Sequence, residues 1–508
     1  RKKSNLQYMH VDQHEVVFLN SDTVFFLNDG GLYRSDNFTA DSPVINTIGV
    51  NYNTTQFYSC DVYPFEDNDW VLGGTQDNGS NKSTDKDISH FDRISWADGA
   101  YCAIDHQDPS YIYTTTQYRR VYRTHNGKVD TITNYRIVNN NTRFINTLAM
   151  DATDPNVLYQ ATNVGVWAMK NARTGDTASW ERICRPLGVV TAIATSTSAP
   201  NTVYFGRIQK PFRIDNSNTS GISYTPVSLD NNGDLPAEGY INCIVTDDLD
   251  KNHLIAIYSN YDIVSVWETY NAYDNDPDWV GCEGNLPNIP VRWGCLKNGS
   301  STEMFLATEF GVYSTSKLDG ENTIWEQNNV GLPNLKVNML KTRKSDGLFV
   351  AATHGRGMFT GYFNEETGKI EWNERGPNNV PGRSRSLMVD PNVSSNKKLW
   401  AGSVSGGLWV INNIDSSTYF EEVPESTVLN AYPNPVNEGL SLTFNEGNPA
   451  EIKIEVYDYL GEEVMSRSYE SAPFGKLSVS GLANGIYYLK MTQGEESVVL
   501  KIIKRGKI

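Results

Sequence analysis

The sequence has no run of about 18–20 apolar residues, the length that a membrane-spanning helix needs. It also lacks an excess of positive charge, since 43 Lys and Arg stand against 60 Asp and Glu and the formal net charge is −17. A chain this acidic repels phosphate groups, so we expect neither nucleic acid nor an anionic bilayer as a partner. Phosphate-loop, Ser-His-Asp and zinc motifs are missing as well. The sequence therefore predicts no transmembrane segment and offers no ready catalytic signature.

Long helical periodicity is also absent, whereas aromatic residues are common: the 508 residues include 28 Tyr, 18 Phe and 11 Trp. This composition is typical of an all-β protein. No signal peptide is visible, because Arg1, Lys2 and Lys3 are followed by polar residues instead of an apolar stretch. We expect an N-terminus that has been processed or lost, and a chain that is a fragment.

A repeat runs through the first 420 residues. Each unit has a segment that ends in an Asp-rich turn, then an aromatic-rich strand, a turn of the form T-x-x-G and another strand. Units begin near residues 15, 58, 101, 147, 192, 243, 294, 339 and 387. A period of roughly 43–51 residues with several short strands predicts a β-propeller with one four-stranded blade per repeat.

Several phrases within the repeat, HVDQHEVVF, NDGGLYRSDNF, GGTQDNGS and ATHGRGMF, occur together in one group of secreted propellers. By these phrases the region resembles the Asp-box (BNR) propellers of the sortilin-like and xyloglucanase-like superfamily. The Asp-box itself is decayed, with remnants at Ser35-Asp36, Thr124 to Gly127, Gly175-Asp176 up to Trp180, and Asp319-Gly320 up to Trp325. In the family these residues form a hairpin turn, so the resemblance implies a structural role.

Nine units do not fit one seven-bladed ring. The segment 376–391, GPNNVPGRSRSLMVDP, resembles the opening blade of such proteins although it lies last. In tandem-propeller relatives the chain leaves one ring, builds a second and returns to the first. We therefore expect one seven-bladed ring plus part of a second whose N-terminal portion is missing, and a single ring of eight to ten blades is the alternative.

The last eighty or so residues contain short apolar segments separated by Gly, Asn, Pro and Glu, a pattern that predicts a small immunoglobulin-like β-sandwich. Four features occur in order: a PNP phrase, a D-x-x-G hairpin, an L-x-x-G-I-Y strand entry and a basic end. Their residues are Tyr432, Pro433, Asn434, Pro435, Asp458, Gly461, Leu482, Gly485, Ile486, Tyr487, Lys501 and Lys504. That order closely resembles the type A C-terminal sorting domain of the type IX secretion system of Bacteroidetes.

The resemblance implies export across the outer membrane to the cell surface or beyond. It also implies partners in the outer-membrane translocon and its shuttle and sortase components, removal of residues 430–508, and anchoring to lipopolysaccharide. Before that domain, residues 419–429 lose the repeat and gain Glu and Pro, which predicts a linker where the cut falls. The predicted organisation is a propeller region at 1–418, a linker at 419–429 and a sorting domain at 430–508.

Six cysteines in an exported protein raise the question of disulfides. Cys60, Cys102 and Cys243 occupy one register of the repeat and are expected as buried thiols, with a Cys60–Cys102 bridge as the alternative. Cys282 and Cys295 flank a Pro-rich loop that a disulfide could close.

The most function-like phrase is Thr353-His354-Gly355-Arg356-Gly357, at a T-x-x-G turn. His354 and Arg356 could bind an anionic or sugar group, although the glycines also suit a tight turn. Asp274, Asp276 and Asp278 place carboxylates at alternating positions, which suits calcium, but a solvated loop explains them equally. His10 and His14 flank Asp12, and there the sequence favours hydrogen bonding over metal binding. No other cofactor is expected.

Two classes of function remain. The first is a non-catalytic surface propeller that binds glycan or protein for adhesion or capture, and we favour it because carboxylates in a catalytic context are missing. The second is a secreted glycoside hydrolase of the Asp-box, xyloglucanase-like type. Trp279, Trp293, Trp325 and Trp372 could stack on sugars, but they recur at blade-packing positions and most are expected in the core.

Overall fold

The computed structural model describes residues 9–137, 142–185, 188–221, 223–389, 397–414, 421–422, 430–432, 436, 438–443, 451–458, 462–469, 474–494 and 496–504. Across these ranges the regular elements are β-strands, which confirms the all-β class. The same ranges hold no helix whose length and apolar character would let it cross a membrane. The chain divides into two compact units, Arg1–Glu422 and Val423–Ile508.

The first unit contains nine four-stranded antiparallel sheets, numbered here in chain order. Sheet 1 has β1 (Gln13–Phe18), β2 (Val24–Asn28), β3 (Gly31–Ser35) and β4 (Asn46–Thr47); sheet 2 has β5 (Phe57–Val62), β6 (Val71–Thr75), β7 (Gly79–Ser83) and β8 (Asp92–Arg93); sheet 3 has β9 (Gly99–Ile104), β10 (Tyr111–Thr116), β11 (Val121–His125) and β12 (Lys128–Thr131). Sheet 4 has β13 (Leu148–Met150), β14 (Leu158–Thr162), β15 (Gly165–Met169) and β16 (Trp180–Cys184); sheet 5 has β17 (Val190–Thr195), β18 (Val203–Arg207), β19 (Lys210–Ile214) and β20 (Val227–Ser228); sheet 6 has β21 (Ile241–Thr246), β22 (Leu254–Tyr258), β23 (Val266–Thr269) and β24 (Val280–Gly281). Sheet 7 has β25 (Val291–Leu296), β26 (Met304–Thr308), β27 (Gly311–Thr315) and β28 (Glu326–Gln327); sheet 8 has β29 (Val337–Thr342), β30 (Phe349–Thr353), β31 (Met358–Gly361) and β34 (Asn373–Gly376), with the hairpin β32 (Phe363–Asn364) and β33 (Lys369–Ile370) inserted; sheet 9 has β35 (Ser384–Val389), β36 (Leu399–Ser403), β37 (Leu408–Ile411) and β38 (Glu421–Glu422).

The nine predicted units coincide with these nine sheets. Their first strands begin at residues 13, 57, 99, 148, 190, 241, 291, 337 and 384, each within three residues of the start expected from the repeat. The one-blade-per-repeat prediction is thereby confirmed.

Sheets 2 to 8 form a closed ring of seven. The first strand of each sheet contacts the first strand of the next, and β5 of sheet 2 also contacts β29 and β30 of sheet 8. Apolar clusters fill all seven interfaces. In the closing interface, Phe57 and Phe91 of sheet 2 pack with Met339 and Met358 of sheet 8. A single ring of eight to ten blades is therefore wrong for this chain.

Sheets 1 and 9 lie outside the ring and pack against each other, with β1 and β2 contacting β35. They share a core in which the rings of Tyr52 and Trp409 meet edge to face, their centroids 5.4 Å apart. The chain thus leaves sheet 1, builds the ring and returns to sheet 9. The two crossing segments, residues 48–56 and 377–383, run side by side, since Gly382 N donates to Thr54 Oγ1 at 3.0 Å.

Buried tryptophans join neighbouring sheets at the start of the fourth strand. The indole Nε1 atoms of Trp180, Trp279, Trp325 and Trp372 donate to the carbonyl oxygens of Ile132, Leu229, Cys282 and Asn328, at 2.6, 2.6, 3.0 and 2.9 Å. Each acceptor lies where the chain has just left the preceding sheet. These side chains belong to the core, as their place in the repeat predicted, and they are not free to stack on sugars.

The second unit contains two antiparallel sheets. One comprises β39 (Asn430–Tyr432), β40 (Gly439–Thr443) and β43 (Phe474–Ser478); the other comprises β41 (Ile452–Tyr457), β42 (Glu463–Tyr469), β44 (Gly485–Gln493) and β45 (Glu496–Lys504). Leu440, Leu477, Ile454, Val456 and Leu489 share one apolar core, so the alternating segments form the predicted sandwich.

Candidate functional site

One end of the ring carries the candidate turn with His354 and Arg356. In a four-stranded meander, the turn between strands two and three lies at the same end as the connection to the next sheet. We call this end of sheets 2 to 8 the loop face. Its described residues are 76–78, 94–98, 117–120, 132–137, 142–147, 163–164, 185, 188–189, 208–209, 229–240, 259–265, 282–290, 309–310, 328–336 and 354–357.

Several turns of the loop face run from a threonine to a glycine three or four residues later and are closed by the threonine side chain. The Oγ1 atoms of Thr75, Thr162, Thr308 and Thr353 donate to the carbonyl oxygens of Gly79, Gly165, Gly311 and Gly357, at 2.7, 3.0, 2.9 and 2.7 Å. Three of these glycines, Gly79, Gly311 and Gly357, have φ of +79°, +83° and +70°, a region that glycine enters without steric cost. The turns hold the intervening residues in fixed positions.

An ion-pair network joins sheets 1 and 9 to the loop face. Arg383, just before β35, donates from Nε to Asp29 Oδ1 at 2.7 Å and from Nη2 to Asp29 Oδ2 at 2.6 Å. The same Nη2 reaches Asp77 Oδ2 at 3.3 Å, and His14 Nε2 pairs with Asp29. The Arg383 guanidinium thus contacts both carboxyl groups. We call His14, Asp29, Asp77 and Arg383 the acid network.

The two carboxyl groups of the acid network titrate in opposite directions. Burial, followed by the negative charges of Asp98 and Asp29, raises the pKa of Asp77 to about 7. Burial also raises the pKa of Asp29, but hydrogen bonds from Arg383 and His14 outweigh burial and hold this pKa below the usual range. Near neutral pH, Asp77 is therefore partly protonated, whereas Asp29 is a carboxylate.

Asp98 and Tyr58 extend the acid network toward the ring. The Asp98 carboxylate accepts a hydrogen bond from Asp77 N at 3.0 Å. Burial, followed by the charges of Asp98 and Asp77, raises the pKa of the Tyr58 hydroxyl well above its usual value, so it stays protonated.

His354 and Arg356 occupy the predicted turn but point to structural partners. Arg356 is 5% exposed, its Nη2 donates to Glu374 Oε2 at 3.2 Å, and its guanidinium lies 5.0 Å from the ring centre of Trp409. Burial and the charge of Lys336 lower the pKa of His354 to about 3, so it is neutral at physiological pH. The ring of His354 packs edge-on against Tyr58. The exposed side chains of the loop face are therefore those of other residues.

The exposed aromatic side chains of the ring gather on the loop face. Six of them lie there, namely Trp96, Tyr118, Tyr135, Phe144, Tyr240 and Tyr261, whereas only Phe65, Tyr270 and Tyr362 are found at the opposite end of the described sheets. The loop-face side chains are 43–59% exposed. None of the tryptophans singled out from the sequence is among them.

A pocket of about 410 Å³ lies beside sheet 3 on this face, and Tyr118, Arg119, Arg120 and Tyr135 contribute to its lining. Tyr118 has φ of +68°, and its N–H donates to Phe144 O at 2.7 Å. The backbone N–H of Gln117, which also lines the pocket, donates to Asp98 O at 3.2 Å. The pocket is therefore next to the acid network, connected to it through Asp98.

A second pocket, of about 540 Å³, lies between sheets 1 and 2. Its lining includes His10, Gly30, Tyr33, Asn78 and Phe91. His10 Nε2 lies 3.2 Å from Asp77 O, and Asn78 Nδ2 donates to Asp29 O at 2.9 Å. His10 and His14 thus serve hydrogen bonding, as the sequence favoured.

The three candidate calcium ligands accept hydrogen bonds from protein groups. Asp274 and Asp278 both accept from Asn271 Nδ2, at 3.0 and 3.1 Å. Asp276 instead accepts from the backbone N–H groups of Asn231 and Asn232, each at 3.1 Å. No group of three or more His, Cys, Asp or Glu side chains arranged for a metal ion occurs within the described ranges. The loop is thus held by hydrogen bonds from within it and from the segment at 231–232.

All six cysteines are free thiols in the structure. The predicted Cys282–Cys295 bridge is not formed, because Cys282 faces Glu268 of sheet 6 while Cys295 packs in the interface of sheets 7 and 8. Cys60 and Cys102 also remain separate; Cys102 Sγ lies near Ser59 Oγ at 3.6 Å. Burial raises the pKa of each thiol, which suits the predicted role as core residues.

The sorting-domain motifs fall partly within the described residues. Asp458 closes the β41–β42 hairpin by accepting the Glu462 N–H at 3.0 Å on its side chain. Leu482 packs against the sandwich core, Gly485 begins β44, which includes Ile486, and the Tyr487 hydroxyl donates to Ala483 O at 3.0 Å. Tyr432, Lys501 and Lys504 lie on strands β39 and β45. Pro433, Asn434, Pro435 and Gly461 lie outside the described residues.

Sequence reasoning missed the acid network. Its signal lay in the repeat: Asp29 and Asp77 occupy the turn between strands two and three, where other units have Asn163-Val164 or Glu309-Phe310. The sequence could have indicated the network, because the two units on either side of the first crossing segment both have an aspartate at this turn.

A profile of the secretion system C-terminal sorting domain matches residues 430–505. No curated protein sequence matches the chain significantly. Similar solved structures include PorZ, an essential bacterial surface component of the type-IX secretion system of Porphyromonas gingivalis, which is 14% identical with a TM-score of 0.33, over 98% of this chain and 66% of that one. A chain of the mitotic checkpoint complex is 11% identical with a TM-score of 0.43, over 71% and 95% of the two chains. An ancestral GH74 enzyme is 13% identical with a TM-score of 0.26, over 97% and 84%.

The chain therefore spans about two thirds (66%) of the length of the PorZ chain, and identities and TM-scores this low say nothing about function. The profile match is stronger, because it covers the sandwich in which the sorting-domain motifs occur in order. After its β-propeller sheets in the sequence, the chain carries a C-terminal sorting domain of the type IX secretion system, which directs its export to the cell surface or the extracellular space.

Proposed function

We propose that the exported chain is a non-catalytic surface propeller that binds glycans through the loop face of its ring. The observation that carries this proposal is the placement of six exposed aromatic side chains at one end of the ring. Aromatic rings with one face in water stack on the apolar faces of pyranose rings at little entropic cost, because they have few rotatable bonds.

The tyrosines beside the 410 Å³ pocket support the proposal further. Tyr118 and Phe144 meet edge to face with ring centroids 5.6 Å apart, and the guanidinium of Arg119 lies 5.7 Å from the ring centre of Tyr135. These contacts hold the rings in place before a ligand arrives, and a pocket of this size is in the usual range for small ligands.

The contacts of the acid network argue against hydrolysis. A glycosidase needs two carboxyl groups that flank the scissile bond, one as acid and the other as base or nucleophile. The Asp29 side chain is only 3% exposed and is bound by Arg383 and His14, so it does not face a substrate. Asp77 contacts the same guanidinium at 3.3 Å.

A glycoside hydrolase is the second candidate, and one observation favours it. Asp77 is 20% exposed and has a pKa of about 7, so it could donate a proton to a leaving group near neutral pH. In that case Asp77 would be the general acid, and Asp77→Asn would abolish the release of reducing ends.

The test is to incubate the full chain with plant, algal and host polysaccharides and to score retention and new reducing ends together. The proposal expects retention without cleavage, and loss of retention in Trp96→Ala with Tyr135→Ala. Phe65→Ala, at the opposite end of the ring, is the matched control and should bind normally. New reducing ends that disappear in Asp77→Asn would establish the hydrolase instead, and retention unaffected by the aromatic substitutions would refute the loop-face site.

For export, we propose that residues 430–508 bind the outer-membrane translocon and its shuttle and sortase components. The sandwich supports this proposal because it is compact and has its own apolar core. We further propose that the sortase cuts within residues 419–429 and leaves the propeller anchored to surface lipopolysaccharide.

A further inference from the structure

Beside sheets 3 and 4 the loop face is positively charged, although the chain as a whole is acidic. The described turns and connections at residues 117–120, 132–137, 142–147, 163–164, 185 and 188–189 contain five arginines and no Asp or Glu. The arginines are Arg119, Arg120, Arg136, Arg143 and Arg185. In a chain with a net charge of −17, a stretch of surface free of carboxylates is unexpected from composition.

These arginines are available to a ligand. Arg120, Arg136, Arg143 and Arg185 are exposed and Arg119 is half-buried. Among the described residues, no carboxylate forms an ion pair with Arg119, Arg120 or Arg143. The neighbouring Arg123, by contrast, points away from this face and binds Asp130 at 3.0 Å.

The pocket combines this charge with aromatic rings. Arg119 and Arg120 contribute to the lining together with Tyr118, Tyr122 and Tyr135. Arg119 is positioned by its contact with Tyr135, and its backbone carbonyl accepts from Gln160 Nε2 at 3.3 Å. A guanidinium next to an aromatic face matches a sugar that carries an anionic substituent, because the ring stacks while the arginine makes charge-assisted hydrogen bonds.

We propose that the glycan bound at this pocket is acidic, with uronate carboxylates or sulfate esters held by Arg119 and Arg120. This inference rests on the proposed function and narrows it to one class of ligand. Neutral polysaccharides lack the group that the two guanidinium groups would bind, and none of the residues that line the pocket carries a carboxylate.

The experiment measures the affinity of the full chain for four probes: polygalacturonate, chondroitin sulfate, neutral xyloglucan and single-stranded DNA. We expect an acidic polysaccharide to bind at least about tenfold more tightly than xyloglucan, and the affinity to fall with added salt. The double variant Arg119→Gln with Arg120→Gln should lose about tenfold or more of that affinity. Polygalacturonate and chondroitin sulfate separate carboxylate from sulfate recognition.

Lys128→Gln is the matched control, because Lys128 is an exposed cation at the opposite end of the same sheet. It should bind like the unmodified chain. Equal binding of xyloglucan and acidic polysaccharides, unchanged in the double variant, would overturn the inference and leave glycan binding intact. Binding of no polysaccharide would refute the proposed function as well, and equal binding of single-stranded DNA would show a general polyanion surface instead of a sugar site. Melting temperatures of all variants confirm that folding is preserved.

Discussion

Arg383 holds the carboxylate of Asp29 through two hydrogen bonds of 2.7 and 2.6 Å, although the two residues are 354 positions apart. Asp29 lies in sheet 1 and Arg383 at the entry to sheet 9, so this pair adds a polar contact to the apolar core that those sheets share. The side chain of Asp29 is only 3% exposed, and it depends on Arg383 and His14 for compensation of its charge.

Arg383→Gln should destabilise the fold, because it leaves a buried carboxylate without its cation. We expect the free energy of unfolding to fall by about 3 kcal/mol, measured by urea denaturation at pH 7. Arg385→Gln, an exposed arginine two residues away, should change it little. Equal stability of the two variants would show that the pair adds nothing.

Asp77→Asn should alter how stability depends on pH. Since the pKa of Asp77 rises from an ordinary 3.8 to about 7, the folded chain keeps a proton that the unfolded chain releases. The contribution of Asp77 is therefore largest below about pH 4 and is lost as pH rises to about 7, by up to about 1.4 kcal/mol per pH unit. Asp77→Asn should remove that part of the slope in denaturation series between pH 5 and pH 8. Asp92→Asn, at an exposed carboxylate, should leave the slope unchanged.

His253→Gln should destabilise sheet 6 most at acidic pH. His253 is fully buried between Asp247 and Glu268, at 2.8 and 2.9 Å. Burial lowers the pKa of His253, but hydrogen bonds to Glu268 and Asp247 outweigh burial and raise it above 6.5. The stabilisation is thus complete below about pH 6.5 and is lost as pH rises through the folded pKa. We expect a loss of about 3 kcal/mol at pH 6 and a smaller loss at pH 9. A loss that grows with pH would contradict this assignment.

Two tryptophan substitutions should distinguish a side chain of the core from a side chain of the proposed ligand-binding surface. Trp372→Phe removes the donor to Asn328 O and should cost about 2–3 kcal/mol of stability. Trp96→Phe, at a side chain 58% exposed, should leave the melting temperature unchanged. Thermal unfolding and polysaccharide retention, measured on both variants, are the readouts. A destabilised Trp96→Phe would place that ring in the structural framework.

Deletion of residues 430–508 should leave the propeller in the periplasm, as judged by cell fractionation and surface labelling. The full-length chain carrying Glu463→Gln, a substitution at an exposed position of the sandwich, should reach the surface. Normal display of the truncated chain would disprove the dependence of export on the sorting domain.

The sequence predicted the blades well because the blade signals are local. The T-x-x-G turns recur since the Thr353 hydroxyl needs only the Gly357 carbonyl, four residues away, and each buried tryptophan finds its acceptor in the adjacent sheet. The contacts of Arg356, a candidate ligand-binding residue, could not be predicted from the sequence, because the ring of Trp409, which packs against it, lies in a sheet that follows the whole ring in the chain. The acid network is non-local in the same way: the repeat places Asp29 and Asp77 at equivalent turns, but nothing in the sequence links either to Arg383, which lies more than 300 residues further along the chain.

The side-by-side crossing segments make the ring an insertion. Sheets 1 and 9 share one core, and the chain between them departs and comes back at neighbouring points, since Asn51 N donates to Asn378 O at 3.0 Å. Residues from Phe57 to Gly376 thus form a closed body with adjacent ends, whereas the contact of Phe25 with the core around Trp409 needs a residue that follows the whole ring in the chain. We therefore expect ordered assembly, in which the inserted ring closes early and the pair of flanking sheets is completed last.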